Sequence, residues 1–360
     1  MKVGIVGLPF SGKTTLFEAI TGAHGSAVEH TAAAHLATVS VPDERMDFFA
    51  KTCSPKKVTH AQVDFVDAAG VSTETDRAHV VAALSTVREA DGIVHVVRHF
   101  ESPSAPPHPH GSLDARRDVA EMEAELLVTD LDVVERRIER LQKQATKPVP
   151  QQERDHDRKE LALMERIKSA LESGRRVAAM GLTPEESAML RAFQFLSEKP
   201  AVYVLNVAEG ELQSPGATAA AQSLGPHTVL ICAKVEKEIS ELEPSERAEF
   251  LAGMGIGEPA ARRVIRACYK ALGLRSFFTG TGISEDCRAW TVKGGENALA
   301  AAGKIHSDIA RGFIRAEVIT FEDFKTAGGM KEARAAGKMR LEGKEYEVQD
   351  GEIITFRFKV

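Results

Sequence analysis

The stretch Gly7-Leu8-Pro9-Phe10-Ser11-Gly12-Lys13-Thr14 matches the pattern G-x-x-x-x-G-K-[ST] at every position. It follows the apolar run Lys2–Val6 and precedes a helical pattern over residues 14–20. The two glycines allow the backbone to curl so that successive N–H groups point at phosphate oxygens, and the N-terminus of the next helix adds partial positive charge. The stretch therefore predicts a strand, a phosphate-binding loop and a helix that together bind a nucleotide.

The loop supplies the candidate residues closest to the phosphates. Lys13 is expected to reach the β- and γ-phosphates and to assist catalysis, and the Thr14 hydroxyl is expected to bind Mg²⁺. Mg²⁺ prefers hard oxygen ligands of this kind. The loop residues predicted to contact the nucleotide are Phe10, Ser11, Gly12, Lys13, Thr14 and Thr15.

Later apolar runs end in further candidate site residues. Asp67 and Gly70 form a D-x-x-G pattern after residues 62–66, where an aspartate can hold Mg²⁺ through water and the Gly70 N–H can sense the γ-phosphate. At the end of a strand beside the phosphate loop, this pattern favours a switch-type nucleotide hydrolase over a kinase. Two pairs of residues at the ends of later runs are expected to surround the base: Asn206 with Glu209, and Ala233 with Lys234.

The composition is that of an ordinary globular protein. The 360 residues are 43% apolar and 27% charged, which is enough for two or three domains with their own cores. Because the net charge is −6, a nucleic-acid contact would need a local basic patch. Four scattered cysteines indicate reduced thiols in a cytoplasmic protein, and no apolar run is long enough for a signal peptide or a membrane span.

Short apolar runs that alternate with helical patterns predict an α/β fold with a mostly parallel sheet. The expected inner strands are residues 2–6, 62–66, 93–97, 201–207 and 228–231. From about residue 280 the sequence predicts a small α+β domain, with a helix at residues 298–311 and strands at residues 340–341, 345–348 and 353–358.

Residues 118–199 interrupt the α/β pattern and are rich in charge and helical periodicity. A break at residues 147–150, which contains two prolines, separates a heptad seam from a second helical run at residues 153–173. This predicts an antiparallel coiled-coil hairpin, and the alternative is that the seam is the buried side of ordinary helices. The seam residues are Leu127, Leu131, Val134, Ile138, Leu141 and Ala145.

Together with longer motifs, these residues give the chain a family resemblance. It resembles the Obg-like ATPases of the YchF subfamily, in the translation-factor branch of P-loop NTPases, over essentially its full length. The match rests on Asn206 and Glu209, on Ala233 and Lys234, and on residues 7–15, 41–43 (VPD), 288–292 (RAWTV), 312–319 (GFIRAEVI), 340–346 (RLEGKEY) and 348–351 (VQDG).

The resemblance implies three domains and a function. The three domains are a P-loop NTPase (G) domain at residues 1–117 and 200–277, a helical coiled-coil insert at 118–199, and a C-terminal TGS-type β-grasp domain at 278–360. The implied function is an ATP-binding, slowly hydrolysing switch with Mg²⁺ as cofactor that associates with ribosomes and acts in translation and stress responses. The alternatives are a nucleotide-binding adaptor that has lost turnover and a switch that prefers GTP.

The resemblance also assigns three residues outside the loop. Thr31 matches the switch I threonine, which would bind Mg²⁺ in the triphosphate state. Val71 matches the hydrophobic residue that replaces the water-orienting glutamine of other GTPases. His108 matches a histidine of a mobile loop that is assigned to catalysis; His110 is the alternative match, and both histidines could instead be a solvated pair in a Pro-rich loop.

Two departures from the family pattern concern the switch and the loop. Residues 71–80 contain no glycine where the family's switch II is glycine-rich, and the segment is two residues shorter. Glycine would let this segment fold over the γ-phosphate, so we expect an altered switch motion and hydrolysis rate. Phe10 stands where the family usually has asparagine.

Glu209 favours adenine over guanine. GTPases have an aspartate at this position, which accepts two hydrogen bonds from guanine, and the extra methylene of Glu209 displaces the carboxylate. Two buried guanine donors would then lack good partners, at about 1–3 kcal/mol each. Adenine lacks these donors, and Asn206 can pair with its N6 and N7; the alternative is a solvated Glu209 and relaxed specificity.

Two basic patches are candidates for contact with the ribosome or with RNA, although solvated helix faces with internal ion pairs would look the same. One is Lys331, Arg334, Lys338 and Arg340, with only Glu332 as a local counter-charge; the other is Arg136, Arg137, Arg140 and Lys143.

Overall fold

The structure is a computed structural model that describes residues 1–22, 29–31, 34–68, 77–103, 105–148, 150–280 and 286–359. Its strands are β1 (Lys2–Val6), β2 (Glu29–Thr31), β3 (Ala34–Ser40), β4 (Val58–Thr59), β5 (Gln62–Asp67), β6 (Gly92–His99), β7 (Ala201–Val207), β8 (Thr228–Ile231), β9 (Leu274–Thr279), β10 (Cys287–Lys293), β11 (Phe313–Ile319), β12 (Arg340–Glu342) and β13 (Ile353–Phe358).

The helices are α1 (Lys13–Thr21), α2 (Glu44–Cys53), α3 (Arg77–Arg88), α4 (Ala115–Ala145), α5 (Gln151–Glu172), α6 (Pro184–Leu190), α7 (Pro215–Ser223), α8 (Ala233–Glu241), α9 (Pro244–Gly253), α10 (Ala260–Ala271), α11 (Ala298–Ile305), α12 (Ser307–Arg311), α13 (Phe321–Ala327) and α14 (Met330–Ala335). No helix within the described ranges is long and apolar enough to cross a membrane.

The chain packs as two compact units. The first contains residues 1–38 and 64–264, and the second contains residues 39–63 and 265–360. This division places α2 and β4 with the C-terminal residues, whereas the sequence-based boundaries assign them to the nucleotide-binding domain. The three-domain division stays a prediction.

The sheet of the first unit is mostly parallel, as predicted, and has the order β2-β3-β5-β1-β6-β7-β8. The five predicted strands are present as β1, β5, β6, β7 and β8, but β8 lies at the edge of the sheet, so its prediction as an inner strand is wrong. β1 lies between β5 and β6 with Ile5 opposite Asp67, and β6 pairs in parallel with β7 with Arg98 opposite Asn206. The carboxyl ends of β1, β5 and β7 therefore meet at one edge, where the phosphate loop begins.

The predicted helical hairpin is present and has a third layer. Val134 and Leu141 of α4 are buried against Leu163, Met164 and Ile167 of α5, so the heptad seam faces the second helix. The same apolar cluster includes Leu190 at the end of α6 and Phe195. The returning chain therefore covers one side of the hairpin, and the seam combines a coiled-coil contact with an ordinary helical core.

The second unit contains a six-stranded sheet of order β12-β11-β13-β9-β10-β4, with α11 packed on one face. Two sequence predictions are wrong here. Residues 345–348 do not form a strand, because the backbone oxygens of Lys344 and Tyr346 accept hydrogen bonds from the first turn of α11. The predicted helix at 298–311 divides at His306, which is extended and whose side chain caps α12.

Candidate nucleotide-binding site

The two glycines of the phosphate loop are required by close backbone packing. Gly7 has φ +154° and Gly12 has φ +92°, which are conformations that other residues rarely adopt. A Cβ atom at Gly7 would lie 2.4 Å from the backbone oxygen of Val96, and one at Gly12 would lie 2.3 Å from Nδ2 of Asn206. The loop is thus pressed against β6 and β7, and side chains at these positions would push it away.

Lys13, the first residue of α1, has its ammonium group inside the loop. Its Nζ donates a hydrogen bond of 2.9 Å to the backbone oxygen of Leu8. Burial lowers its pKa to about 8, although the nearby Asp67 carboxylate acts in the opposite direction. A phosphate group beside this ammonium would stabilise its charged form.

Thr14 and Asp67 form an oxygen pair at the end of β5. The Thr14 hydroxyl donates a hydrogen bond of 2.8 Å to Oδ2 of the buried Asp67 carboxylate. A hydroxyl and a carboxylate are ligands that suit Mg²⁺, and within the described ranges no group of three or more His, Cys, Asp or Glu residues could hold a metal ion. The residues present therefore fit the expected cofactor.

The two predicted switch segments are only partly described. Thr31 lies at the end of β2, and its backbone pairs with that of Ala34 on β3; the structure describes only the backbone at this position. Gly70 and Val71 lie outside the described residues altogether.

Asn206 joins the base side of the site to the phosphate loop. Its Nδ2 donates a hydrogen bond of 2.9 Å to the backbone oxygen of Ser11, and its Oδ1 accepts one of 2.9 Å from the backbone N–H of Ala233. The side chain is buried, so both bonds are shielded from water. One amide hydrogen and one oxygen lone pair are left for the predicted contact with a base.

The remaining base and loop residues lie as follows. Glu209 begins a short 3-10 turn and is exposed, and Lys234 is exposed in the first turn of α8 at 4.0 Å from Glu238. Thr15 is half-buried in α1, and Ser11 is fully buried. Phe10 is 58% exposed with φ +60°, an unusual conformation for an aromatic residue.

His108 is not part of a solvated pair. It is 5% exposed, and its Nε2 lies 2.9 Å from Oδ2 of Asp118, which is itself buried in the first turn of α4. His110 is more exposed and contacts Glu121 at 2.9 Å. The two histidines therefore have different surroundings, and His108 is held by a carboxylate of the following helix.

Sequence reasoning missed the residues that hold this histidine loop. Arg98, at the end of β6, is 3% exposed and donates hydrogen bonds to the backbone oxygens of Phe100 and Pro106. The signal that could have identified Arg98 is a charged residue near the end of an otherwise apolar run. Asp118 gave no comparable signal, because helix N-termini often carry acidic residues without partners.

Four of the eight residues in the predicted basic patches pair with carboxylates that are distant in the sequence. Arg334 pairs with Glu317, Lys338 with Asp323, and Arg340 with Glu352. In the helical hairpin, Arg137 makes a two-pronged contact with Glu160. Counting charges in a short stretch of sequence could not detect these partners.

Comparisons with known proteins cover the whole chain. A family model described as "50S ribosome-binding GTPase" matches residues 2–149, and the model of the C-terminal YchF GTPase domain, described as a protein of unknown function, matches residues 274–359.

Two relatives and one solved structure extend over the full length. Proteins named "Ribosome-binding ATPase YchF" from Haemophilus influenzae and Bacillus subtilis are 41% and 37% identical, over 100% of this chain and 99% and 100% of theirs. The structure of the Schizosaccharomyces pombe YchF GTPase is 28% identical, covers 99% of this chain and 97% of its own, and superposes with a TM-score of 0.84. On this full-length identity, the chain belongs to the YchF family.

Proposed function

We propose that this chain is an ATP-binding, slowly hydrolysing switch that associates with ribosomes in the cytoplasm. The observation that carries the proposal is the contact network at the edge of the first sheet. There Asn206 is hydrogen-bonded to the phosphate loop at Ser11, and Thr14 of the same loop is hydrogen-bonded to Asp67. Nucleotide binding and metal binding would therefore occur on connected elements.

Each residue has a role in this proposal. Lys13 would place a positive charge beside the β- and γ-phosphates, and the loop N–H groups from Phe10 to Thr15 would bind the phosphate oxygens. Thr14 would hold Mg²⁺ directly and Asp67 through water, with Thr31 added in the triphosphate state. The metal would neutralise charge on the phosphates when bound.

The identity of the nucleotide is part of the proposal, because the relatives' names differ. The bacterial relatives are named ATPases and the Schizosaccharomyces pombe structure is titled a GTPase. Glu209 supports ATP, since its extra methylene relative to aspartate would displace the carboxylate from the position that pairs with guanine. A GTP-preferring switch is the alternative.

The hydrolysis step depends on residues outside the described ranges and on His108. Gly70 and Val71 would lie near the γ-phosphate, and the lack of glycine in residues 71–80 supports slow turnover or its loss in an adaptor. A catalytic role for His108 would require this histidine to leave Asp118, because the pair is buried.

Ribosome association, with RNA contact through local basic patches, is proposed from the names of the relatives. We also propose the three-part division with boundaries at residues 117, 199 and 277. The separate packing of residues 265–360 supports a distinct C-terminal part.

Calorimetry with Mg·ATP tests the proposed nucleotide site. Lys13→Ala should abolish tight binding, because this ammonium is the cation inside the loop. The matched control is Lys143→Ala, which removes an exposed lysine of α4 that has no predicted role in the nucleotide site. Undiminished affinity in Lys13→Ala would overturn the assignment of the phosphate loop.

A further inference from the structure

The sheet of the second unit places two arginines directly opposite each other. Arg315 on β11 pairs in register with Arg357 on the antiparallel strand β13. Side chains opposite each other in such a pair lie on the same face with Cβ atoms roughly 4.5–5.5 Å apart, and like charges at this distance are destabilising. The arrangement therefore calls for a compensating negative charge.

The chain supplies only part of that charge. Glu317, which is 6% exposed, accepts hydrogen bonds from Arg334 at 3.0 Å and from Arg357. Within the described residues Arg315 has no ion pair with a carboxylate. We call Arg315, Arg334 and Arg357 the guanidinium cluster; with Glu317 it carries a net charge of two positive units.

The cluster lies on the face of the sheet that is turned away from α11. Ala316 and Val318 on β11 and Phe356 on β13 belong to the apolar core beneath α11 or pack against it. Side chains alternate along a strand, so Arg315, Glu317 and Arg357 point to the opposite face. Leu341, opposite Glu317 on β12, is 63% exposed, so this part of the face is open to solvent.

We propose that the guanidinium cluster binds the phosphodiester backbone of ribosomal RNA, with Arg315 as the principal contact. This inference rests on the proposed association with ribosomes and names the surface that makes it. Guanidinium groups present planar pairs of N–H donors that match phosphate oxygens, and the RNA of a ribosome carries one such phosphate group per nucleotide.

The cluster differs from the patch that the sequence suggested. Lys338 and Arg340 are paired with Asp323 and Glu352, and Arg334 shares Glu317 with Arg357, so three of the four residues of that patch already have a carboxylate partner. Arg315 did not stand out in the sequence, because its partner across the strands lies 42 positions away. Only the strand register reveals the unpaired charge.

Binding to purified ribosomes and to protein-free ribosomal RNA, measured over a series of KCl concentrations, tests the proposal. Arg315→Gln should weaken both interactions several-fold and reduce the slope of log affinity against log salt by about 0.7–0.9. Arg315→Lys should keep most of the slope with part of the affinity, since it retains charge without the planar fork. Arg311→Gln removes an exposed arginine of the same unit and should behave like the parent protein.

Each outcome decides a different statement. If the parent protein and Arg315→Gln bind ribosomes equally well, this inference alone is overturned. If Arg315→Gln loses ribosome binding but keeps RNA binding, the assignment to RNA is overturned, because the partner is then a ribosomal protein. A parent that binds RNA through Arg315 but does not bind ribosomes overturns the proposed function alone. Thermal unfolding of Arg315→Gln should show no loss of stability, because the substitution removes a like-charge contact.

Discussion

Asn206 and Ser11 are joined by a hydrogen bond of 2.9 Å from a side-chain amide to a backbone oxygen, which fixes the phosphate loop to the strand that leads to the base. The same amide oxygen accepts from Ala233 at the start of α8. The base and phosphate ends of the site are therefore connected by one side chain before any nucleotide contacts it.

We predict that Asn206→Ala weakens both folding and nucleotide binding. It leaves the Ser11 oxygen and the Ala233 N–H buried without their partners, at about 1–3 kcal/mol each. Urea unfolding should show the loss of stability, and calorimetry should show weaker Mg·ATP binding. Gln213→Ala, which removes an exposed amide, should change neither quantity, and an Asn206→Ala variant with the parent's stability would contradict the connecting role.

Gly12 should tolerate no side chain, because of the same contact. Gly12→Ala places a Cβ atom 2.3 Å from Nδ2 of Asn206 at a left-handed φ, so we predict loss of nucleotide binding. Gly22→Ala is the matched control, since Gly22 has φ +77° with open space around it. The control should lose about 1–3 kcal/mol of stability from backbone strain alone and keep its affinity for ATP. Equal losses of ATP affinity in the two variants would refute the packing argument.

ATP affinity should fall as the pH rises through about 8. The pKa of Lys13 is lowered to about 8 by burial, so its positive charge is present below this pH and is lost above it. Calorimetry on both sides of this pH should show the decline. Lys13→Arg stays charged throughout, so its weaker binding should not show this decline. A parent affinity that is constant across pH 8 would mean that the lysine charge does not contribute to binding.

Glu209→Asp should move the nucleotide preference toward GTP. The shorter side chain returns the carboxylate to the position where it can accept from guanine N1 and N2, while the exposed site itself is little changed. Competition binding with ATP and GTP at fixed Mg²⁺ measures the ratio. Equal affinities for the two nucleotides in the parent protein would contradict the role given to Glu209.

Release of His108 from Asp118 should change hydrolysis. Asp118→Ala removes the 2.9 Å contact, so we predict faster hydrogen exchange in the histidine loop and faster phosphate release from ATP. The gain should disappear when His108→Ala is added. Glu121→Ala, which frees the exposed His110, should have no such effect, and slower release in Asp118→Ala would indicate that the buried pair acts together.

The sequence was sufficient where the determinants are local. The glycines, Lys13 and Thr14 predicted the strand, loop and helix, and apolar runs predicted five strands of the first sheet, four of which are inner strands. It was insufficient where distant segments meet. Residues 39–63 pack with the C-terminal unit, and Lys344 and Tyr346 accept hydrogen bonds from α11 instead of forming a strand. Arg334 is neutralised by Glu317. Each of these outcomes depends on contacts between segments that are distant in the sequence, which no local pattern records.

Phosphate release from Mg·ATP, followed in the parent protein and in Lys13→Ala under identical conditions, tests the central claim most directly. The account predicts slow release over several turnovers in the parent and none above background in Lys13→Ala. Equal release from both proteins, or no release from a parent that binds ATP, would contradict the claim that this site hydrolyses the nucleotide.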